Sequence, residues 1–369
     1  MHPFRSEGVL SFAKLDPYAG NEVKVAVVGA GICGSSAARY VAIKGHDVAL
    51  FEQFGLGHDL GSSHGNSRIV RKAYPDAYYT ECMTKAYPLW AELERHADRR
   101  LLNEVGLMYF GHEFATDLLS LVKGLADVGV PFEILDSSRA AKVLRGLKLD
   151  KGEIGIFTAD AGWVDAKAAI EANIQVLRSL GGIILTDHPV DWERLEQDFD
   201  AFVVCAGPWV RQFVDVPVRT TLQTFGYVGL RAQLEGPVWI EEGPLGMYGF
   251  PTEPDRMDMK IGVHELGRDV TLSDLDRTPS SEHCDFISEV AERRFGIKDA
   301  NVHYSKGCVY TSTSTEDFLL GRIGDRGFFA SACSGHGFKF GPWIGKLLAA
   351  FVEGEDEPEN YPRFNWVAS

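Results

Sequence analysis

The chain has 369 residues, 45% of them hydrophobic and 24% charged, and carries a formal net charge of −15 at pH 7. That length exceeds what one hydrophobic core serves, so two interlocked domains are expected, and so acidic a chain argues against nucleic acid and anionic membranes as partners. Six cysteines without CxxC spacing point to reduced thiols in the cytoplasm rather than to disulfides or a metal site, and neither a signal peptide nor an 18-residue apolar span is visible.

Residues 1–20 precede the first convincing strand and are expected to form an N-terminal extension. Residues 23–28 are a β-branched run ending in Gly29-Ala30-Gly31, followed by a small-residue helix over 32–44 and a second strand over 47–51 that ends at Glu52. This βαβ unit implies parallel strands covered on both faces. Gly29, Gly31 and Gly34 form GxGxxG between strand and helix, where backbone NH groups at the positive helix end face a pyrophosphate; a side chain at Gly31 would block that approach. Glu52 is placed to accept hydrogen bonds from a ribose hydroxyl.

Further along, the pattern predicts a helix over 78–101 and strands over 105–110 and 127–135. Asp165 is an N-cap for a helix over 166–180, stopped by Gly181 and Gly182 before a strand at 183–185. The apolar run 201–205 closes this second α/β stretch. Strand-like segments then dominate, at 227–234, 257–263 and 301–310, interrupted by one charged helix near 282–295. In 257–264 side chains alternate, so that Lys260 and His264 share a face. An α/β pattern returns with a strand at 327–331 and a helix at 342–351.

Four segments carry more specific signals: GSSHGNSRIVR at 61–71, MDMKIGVH at 257–264, GCVYT at 307–311 and SGHGFKF at 334–340. With the glycine fingerprint they resemble the monomeric sarcosine oxidase family, which includes N-methyltryptophan and pipecolate oxidases within the D-amino-acid-oxidase-like flavoproteins. The likeness runs from about residue 23 to the C-terminus, and the strand and glycine turn at 201–209 resemble the second nucleotide contact of such enzymes. The resemblance implies an α/β fold: a Rossmann-type FAD-binding domain (21–100, 156–220 and 306–369) interleaved with an α+β substrate domain (101–155 and 221–305) built on a mostly antiparallel sheet.

It also implies roles. By itself Cys308 reads as a small buried hydrophobe; the resemblance makes it the covalent attachment point of the flavin. Arg71 and Lys339 become the clamp on a substrate carboxylate, and a guanidinium fork and an ammonium can neutralise one carboxylate from two sides. His64 and Arg68 are expected near the flavin ring, Lys260 facing it to promote reaction with oxygen, and His264, Tyr248 and Tyr310 along the substrate pocket. Ser62, Val190, Gly335 and Gly337 complete the implied cofactor contacts, shared with Arg68 and Lys339. The implied reaction is oxidation of the C–N bond of a small secondary amino acid by a monomer, with O2 reduced to H2O2 and no metal. A cyclic imino acid, an Amadori-type sugar amino acid or a D-amino acid remain alternatives, as does a flavoprotein subunit that passes electrons to a partner.

Overall fold

Alternate residues of the first strand, Lys24–Val28, pack into different layers: Val25 and Val27 join one core cluster, Ala26 and Val28 another. That two-sided burial is what a central parallel strand requires. The computed structural model describes residues 23–252, 256–265 and 267–367, and the expected extension over 1–20 lies outside the described residues.

A seven-stranded sheet runs in the order Asn365–Trp366, Leu319–Ile323, Gly327–Ser331, Ala201–Val204, Lys24–Val28, Asp47–Phe51, Ile183–Leu185. The last five strands of that order are mutually parallel, and Leu319–Ile323 runs antiparallel to Gly327–Ser331. Helices Ile32–Ile43, Ala166–Ser179 and Gly341–Glu353 cover one face through Ala37, Val41, Ala169, Ile344 and Leu348. The opposite face is covered by Leu195 of helix Trp192–Asp198 and by Val210 of the short 3-10 turn Gly207–Gln212. Asp165 caps its helix as expected, its side chain accepting from the Ala168 NH at 2.9 Å.

The second sheet has nine strands and is antiparallel except where Val238–Glu241 runs parallel to Leu107–His112. Its register aligns Tyr109, Ile240, Tyr248, Gly262 and Phe225 in one row across five strands. Phe250 lies opposite Lys260 one step along. Because side chains alternate along a strand, these residues share one sheet face, and that face is the wall of the site. A three-stranded sheet of Arg68–Arg71, Ala161–Val164 and Leu102–Asn103 stands between the larger ones in chain order and carries two of the expected site cations.

The structure corrects several expectations. Residues 116–128, partly expected as strand, form the helix Thr116–Val128, which buries Leu118, Leu121 and Leu125 and ends where Gly129 takes φ +78°; only Glu133–Leu135 is strand. The strand expected at 227–234 is Arg219–Gly229, displaced because Thr221, Gln223 and Thr224 are polar yet buried inside the sheet. The expected domain boundaries at 155/156, 220/221 and 305/306 fall inside Glu153–Thr158, Arg219–Gly229 and Val302–Ser312.

Candidate active site

A cleft of about 920 Å3 runs from the fingerprint turn to the wall of the nine-stranded sheet. Gly29, at its nucleotide end, has φ +95°, and a Cβ there would stand 2.4 Å from the Cys205 carbonyl oxygen. At Gly34 a Cβ would come within 1.8 Å of the Gly29 carbonyl oxygen, so this glycine lets helix and turn pack closely and does not itself line the cleft. Gly31 does line it: an added Cβ would meet only Ser63, with Oγ nearest at 3.2 Å, and otherwise occupy the cleft. Its open side and the helix start behind it form the expected anion cradle.

Glu52 is buried beside that turn, its Oε2 accepting from the Ala30 NH at 2.9 Å and its Oε1 from the Phe54 NH at 3.1 Å. Burial alone would raise its carboxyl, but His58 and those two NH groups prevail and hold it below the usual carboxylate range. Glu52 therefore stays charged, with carboxylate lone pairs left to accept from hydroxyl groups. Val190 and Ser62 also line the cleft, and Ser62 Oγ donates to the Val309 carbonyl at 2.6 Å, tying the loop to the strand that carries Cys308.

Arg68, Arg71, Lys260 and Lys339 all line this cleft. Arg68 donates to the carbonyls of Ser62, His64 and Ser67, which fixes the loop 62–67 around it. Arg71 donates to the Ala73 carbonyl and lies over the Tyr74 ring at 3.9 Å. Lys339 is only 6% exposed and donates to the His336 carbonyl at 2.6 Å. Burial, reinforced by Arg71 and Arg68, holds its ammonium pKa well below the ordinary lysine value. Neither Arg71 nor Lys339 has a carboxylate partner among the described residues. Two neighbouring cations, one of them almost wholly buried, are costly, and either loss of the Lys339 proton or the arrival of an anion relieves that cost.

Lys260 is 1% exposed; its Nζ donates to Ser67 Oγ at 3.0 Å and the Ser67 carbonyl at 3.1 Å, with the rings of Phe225 and Phe250 each 4.9 Å away. Cys308 and Tyr310 lie two residues apart on one strand, and both line the cleft. Burial pushes the Cys308 thiol up, and Arg68 is the strongest group opposing that shift. His264 and Tyr310 rings are 5.8 Å apart. Gly335, with φ +71°, packs beneath both: a Cβ there would come within 2.2 Å of Tyr310 Cε2 and 2.8 Å of His264 Cε1. Burial, followed by Arg71 and Lys339, lowers the His264 pKa to about 4, so its ring is neutral at pH 7.

All the expected site residues except His64 and Gly34 thus line one cleft. His64 is buried behind it, its ring 6.4 Å from Phe225 and its nitrogens without a hydrogen-bond partner among the described residues. Burial, together with Arg68, Lys306 and Arg277, lowers its pKa to about 2. His64 thus does not line the cleft itself but packs near Phe225, which does, while Arg68 holds its carbonyl. Three residues that sequence reasoning gave no role also shape the site: Tyr74, His336 and Gly262. Tyr74 and His336 sit inside or just beyond quoted motifs, so proximity to Arg71 and Lys339 was the available signal.

A dinucleotide cradle joined in one cleft to a cation-rich, aromatic wall defines a flavin-dependent oxidoreductase. Residues 24–351 match the family described as FAD dependent oxidoreductase, and the chain belongs to it. The peroxisomal sarcosine oxidase of Homo sapiens is 30% identical over 352 residues, which cover 87% of this chain and 90% of that one. An N-methyl-L-tryptophan oxidase of Escherichia coli is 27% identical over 359 residues, covering 89% and 94%. The resemblance seen in the sequence is borne out by these relatives. In fold, the L-proline dehydrogenase of P. horikoshii superposes with a TM-score of 0.80 at 17% identity, over 94% of this chain and 99% of that one. No helix among the described residues is long and apolar enough to cross a membrane.

The residues present fit FAD. The space a Gly31 side chain would fill and the charged Glu52 suit the pyrophosphate and ribose, and Ser62, Arg68, Val190, Cys308, Gly335, Gly337 and Lys339 stand along the same cleft.

Proposed function

We propose that this chain oxidises the C–N bond of a small secondary (N-alkyl) amino acid, with O2 as electron acceptor and H2O2 as a product. The observation that carries the proposal is the pair Arg71 and Lys339, half-buried and buried in the cofactor cleft, with no carboxylate partner among the described residues. A substrate carboxylate completes that arrangement. The names of the sarcosine and N-methyltryptophan oxidases support the choice of a secondary amino acid.

When bound, FAD supplies the two-electron acceptor for the carbon beside the amine. The protein's own residues hold and polarise. Arg71 and Lys339 fix the carboxylate; Tyr248, Tyr310 and Phe250 wall the amine side and exclude water; the neutral His264 ring adds no further positive charge there. Lys260, held by Ser67, is a fixed cation for charge that develops on oxygen. In this reading the enzyme acts as a cytoplasmic monomer; all six cysteines being free of disulfides supports a reducing compartment.

Purified enzyme in air, offered secondary, cyclic and D-amino acids, is expected to release peroxide fastest with a member of the secondary class. Peroxide from none of them, with the cofactor reduced only when an artificial acceptor is present, would move the assignment to a dehydrogenase.

Cys308 is proposed as the covalent attachment point, supported by its place in the cleft with Arg68 as the strongest group favouring its thiolate. Acid-precipitated wild-type protein should then stay yellow, and Cys308→Ala should release its flavin to the supernatant. Free flavin from the wild type would remove that role from Cys308 and leave cofactor binding standing.

A further inference from the structure

Among the described residues no carboxylate holds Arg71 or Lys339, and other groups fix these two like charges near one another. The Arg71 guanidinium carbon lies 3.9 Å over the Tyr74 ring, and Lys339 Nζ lies 5.5 Å from the centre of the same ring. Lys339 Nζ also donates to the His336 carbonyl at 2.6 Å. An aromatic face is negative, so it attracts both cations and lessens the cost of their approach.

The ring in turn is fixed. Tyr74 is 5% exposed, and its hydroxyl lies 3.2 Å from His336 Nδ1. His336 Nε2 lies 3.1 Å from the Glu316 carbonyl oxygen, which can only accept, so Nε2 carries the hydrogen. With the ring neutral, Nδ1 is the acceptor and the Tyr74 hydroxyl donates to it. Burial, with Lys339 next, keeps His336 well below the ordinary histidine value and so neutral. The imidazole is itself enclosed, with ring centres of Phe318 and Tyr79 each 4.8 Å away.

We propose that Tyr74 and His336 are positioning residues of the substrate site: His336 fixes the Tyr74 ring, and that ring with the His336 carbonyl sets Arg71 and Lys339 at the spacing that receives one carboxylate. This rests on the carboxylate clamp proposed above. Neither residue touches the reacting atoms in this role. Both act through the cations.

The test titrates FAD-loaded enzyme with propionate, a carboxylate without an oxidisable amine, and reads the flavin absorbance. Tyr74→Phe keeps the ring and removes only the hydroxyl; it should weaken propionate binding about three- to ten-fold, the size of one lost neutral hydrogen bond. With substrate, the same variant should raise KM more than it lowers kcat. His336→Asn, whose amide oxygen can accept from the Tyr74 hydroxyl, should bind propionate more tightly than His336→Leu. In an Arg71→Lys background, where the planar fork is already gone, Tyr74→Phe should add little, since effects transmitted through one group are not additive. Wild-type affinity in Tyr74→Phe, or a loss of equal size with and without Arg71, overturns the proposal, and these arms decide it even if the His336 variants fail to fold. Arg71→Ala separates the two ideas: propionate binding unchanged in that variant overturns the clamp itself, and the positioning role with it.

Discussion

Arg71→Ala and Lys339→Ala are each expected to raise the KM for an amino acid substrate by a factor that corresponds to about 2–5 kcal/mol. The size follows from where the charges stand. Lys339 is enclosed and Arg71 faces the same cleft, so a substrate carboxylate meets them with little water to screen the attraction. Removing one cation also leaves the carboxylate partly unpaired in the bound state, which adds to the loss. Lys339→Ala should cost more than Arg71→Ala at low salt and high salt alike, because its ammonium is the more deeply buried and salt screens buried pairs least. The check is steady-state kinetics on the amino acid beside the same amine without its carboxylate. Equal oxidation of both by the wild type would show that no clamp operates.

Lys260→Met should separate the two halves of turnover. The substitution keeps most of the stem volume and removes the charge. Anaerobic bleaching of the flavin by substrate should change little, whereas the return of colour on mixing with oxygen should slow by a factor of hundreds. A fixed charge facing a developing anion in a water-poor site contributes about 3–4 kcal/mol, and each 1.4 kcal/mol or so is a factor of ten. The ammonium is well suited to this, being held by Ser67 and bounded by the rings of Phe225 and Phe250. Stopped-flow absorbance follows both steps. An unaltered oxygen step would return Lys260 to a structural part, holding Ser67 and the loop around it.

Much of this architecture was legible because it rests on local chemistry. The turn at Gly29, Gly31 and Gly34 demands small residues for reasons visible in any strand-to-helix junction, and Asp165 announces its helix by its cap. The parallel strands read as unbroken apolar runs because both their faces are covered. The helix Thr116–Val128 was harder to see: its N-cap is Ala115, without a side-chain bond, and its interior holds a glycine, Gly124, packed against Ala77. The strand Arg219–Gly229 hides its polar residues in the sheet, so its first half carries no apolar alternation by which to recognise it.

The site was legible only in part, for a related reason. Motif resemblance gathered Arg68, Arg71, Lys260, Cys308 and Lys339, and the fold brings them to one cleft. It placed His64 near the flavin ring, and the fold buries that side chain 6.4 Å from Phe225 of the cleft lining without bringing it to the cleft surface. It passed over Tyr74 and His336, whose parts depend on contacts between segments more than 250 positions apart, the separation being 262. No local pattern encodes such a contact.

Gly262 is opposite Tyr248 on the neighbouring strand, and a Cβ at that position would stand 2.5 Å from the Tyr248 hydroxyl oxygen and 2.4 Å from Cζ. The tyrosine ring therefore lies flat on bare backbone, and one side chain alone decides how deep the chamber is in that direction. With Tyr248 lining the substrate pocket as proposed, trimming it would open room down to the peptide plane, and bulkier substrates are then expected to be accepted. A residue larger than glycine at 262 would act the other way, pushing the ring outward and narrowing the chamber. In the proposed reading, positions 248 and 262 together therefore set the depth of the chamber in that direction, one by filling it and the other by leaving room for the filler.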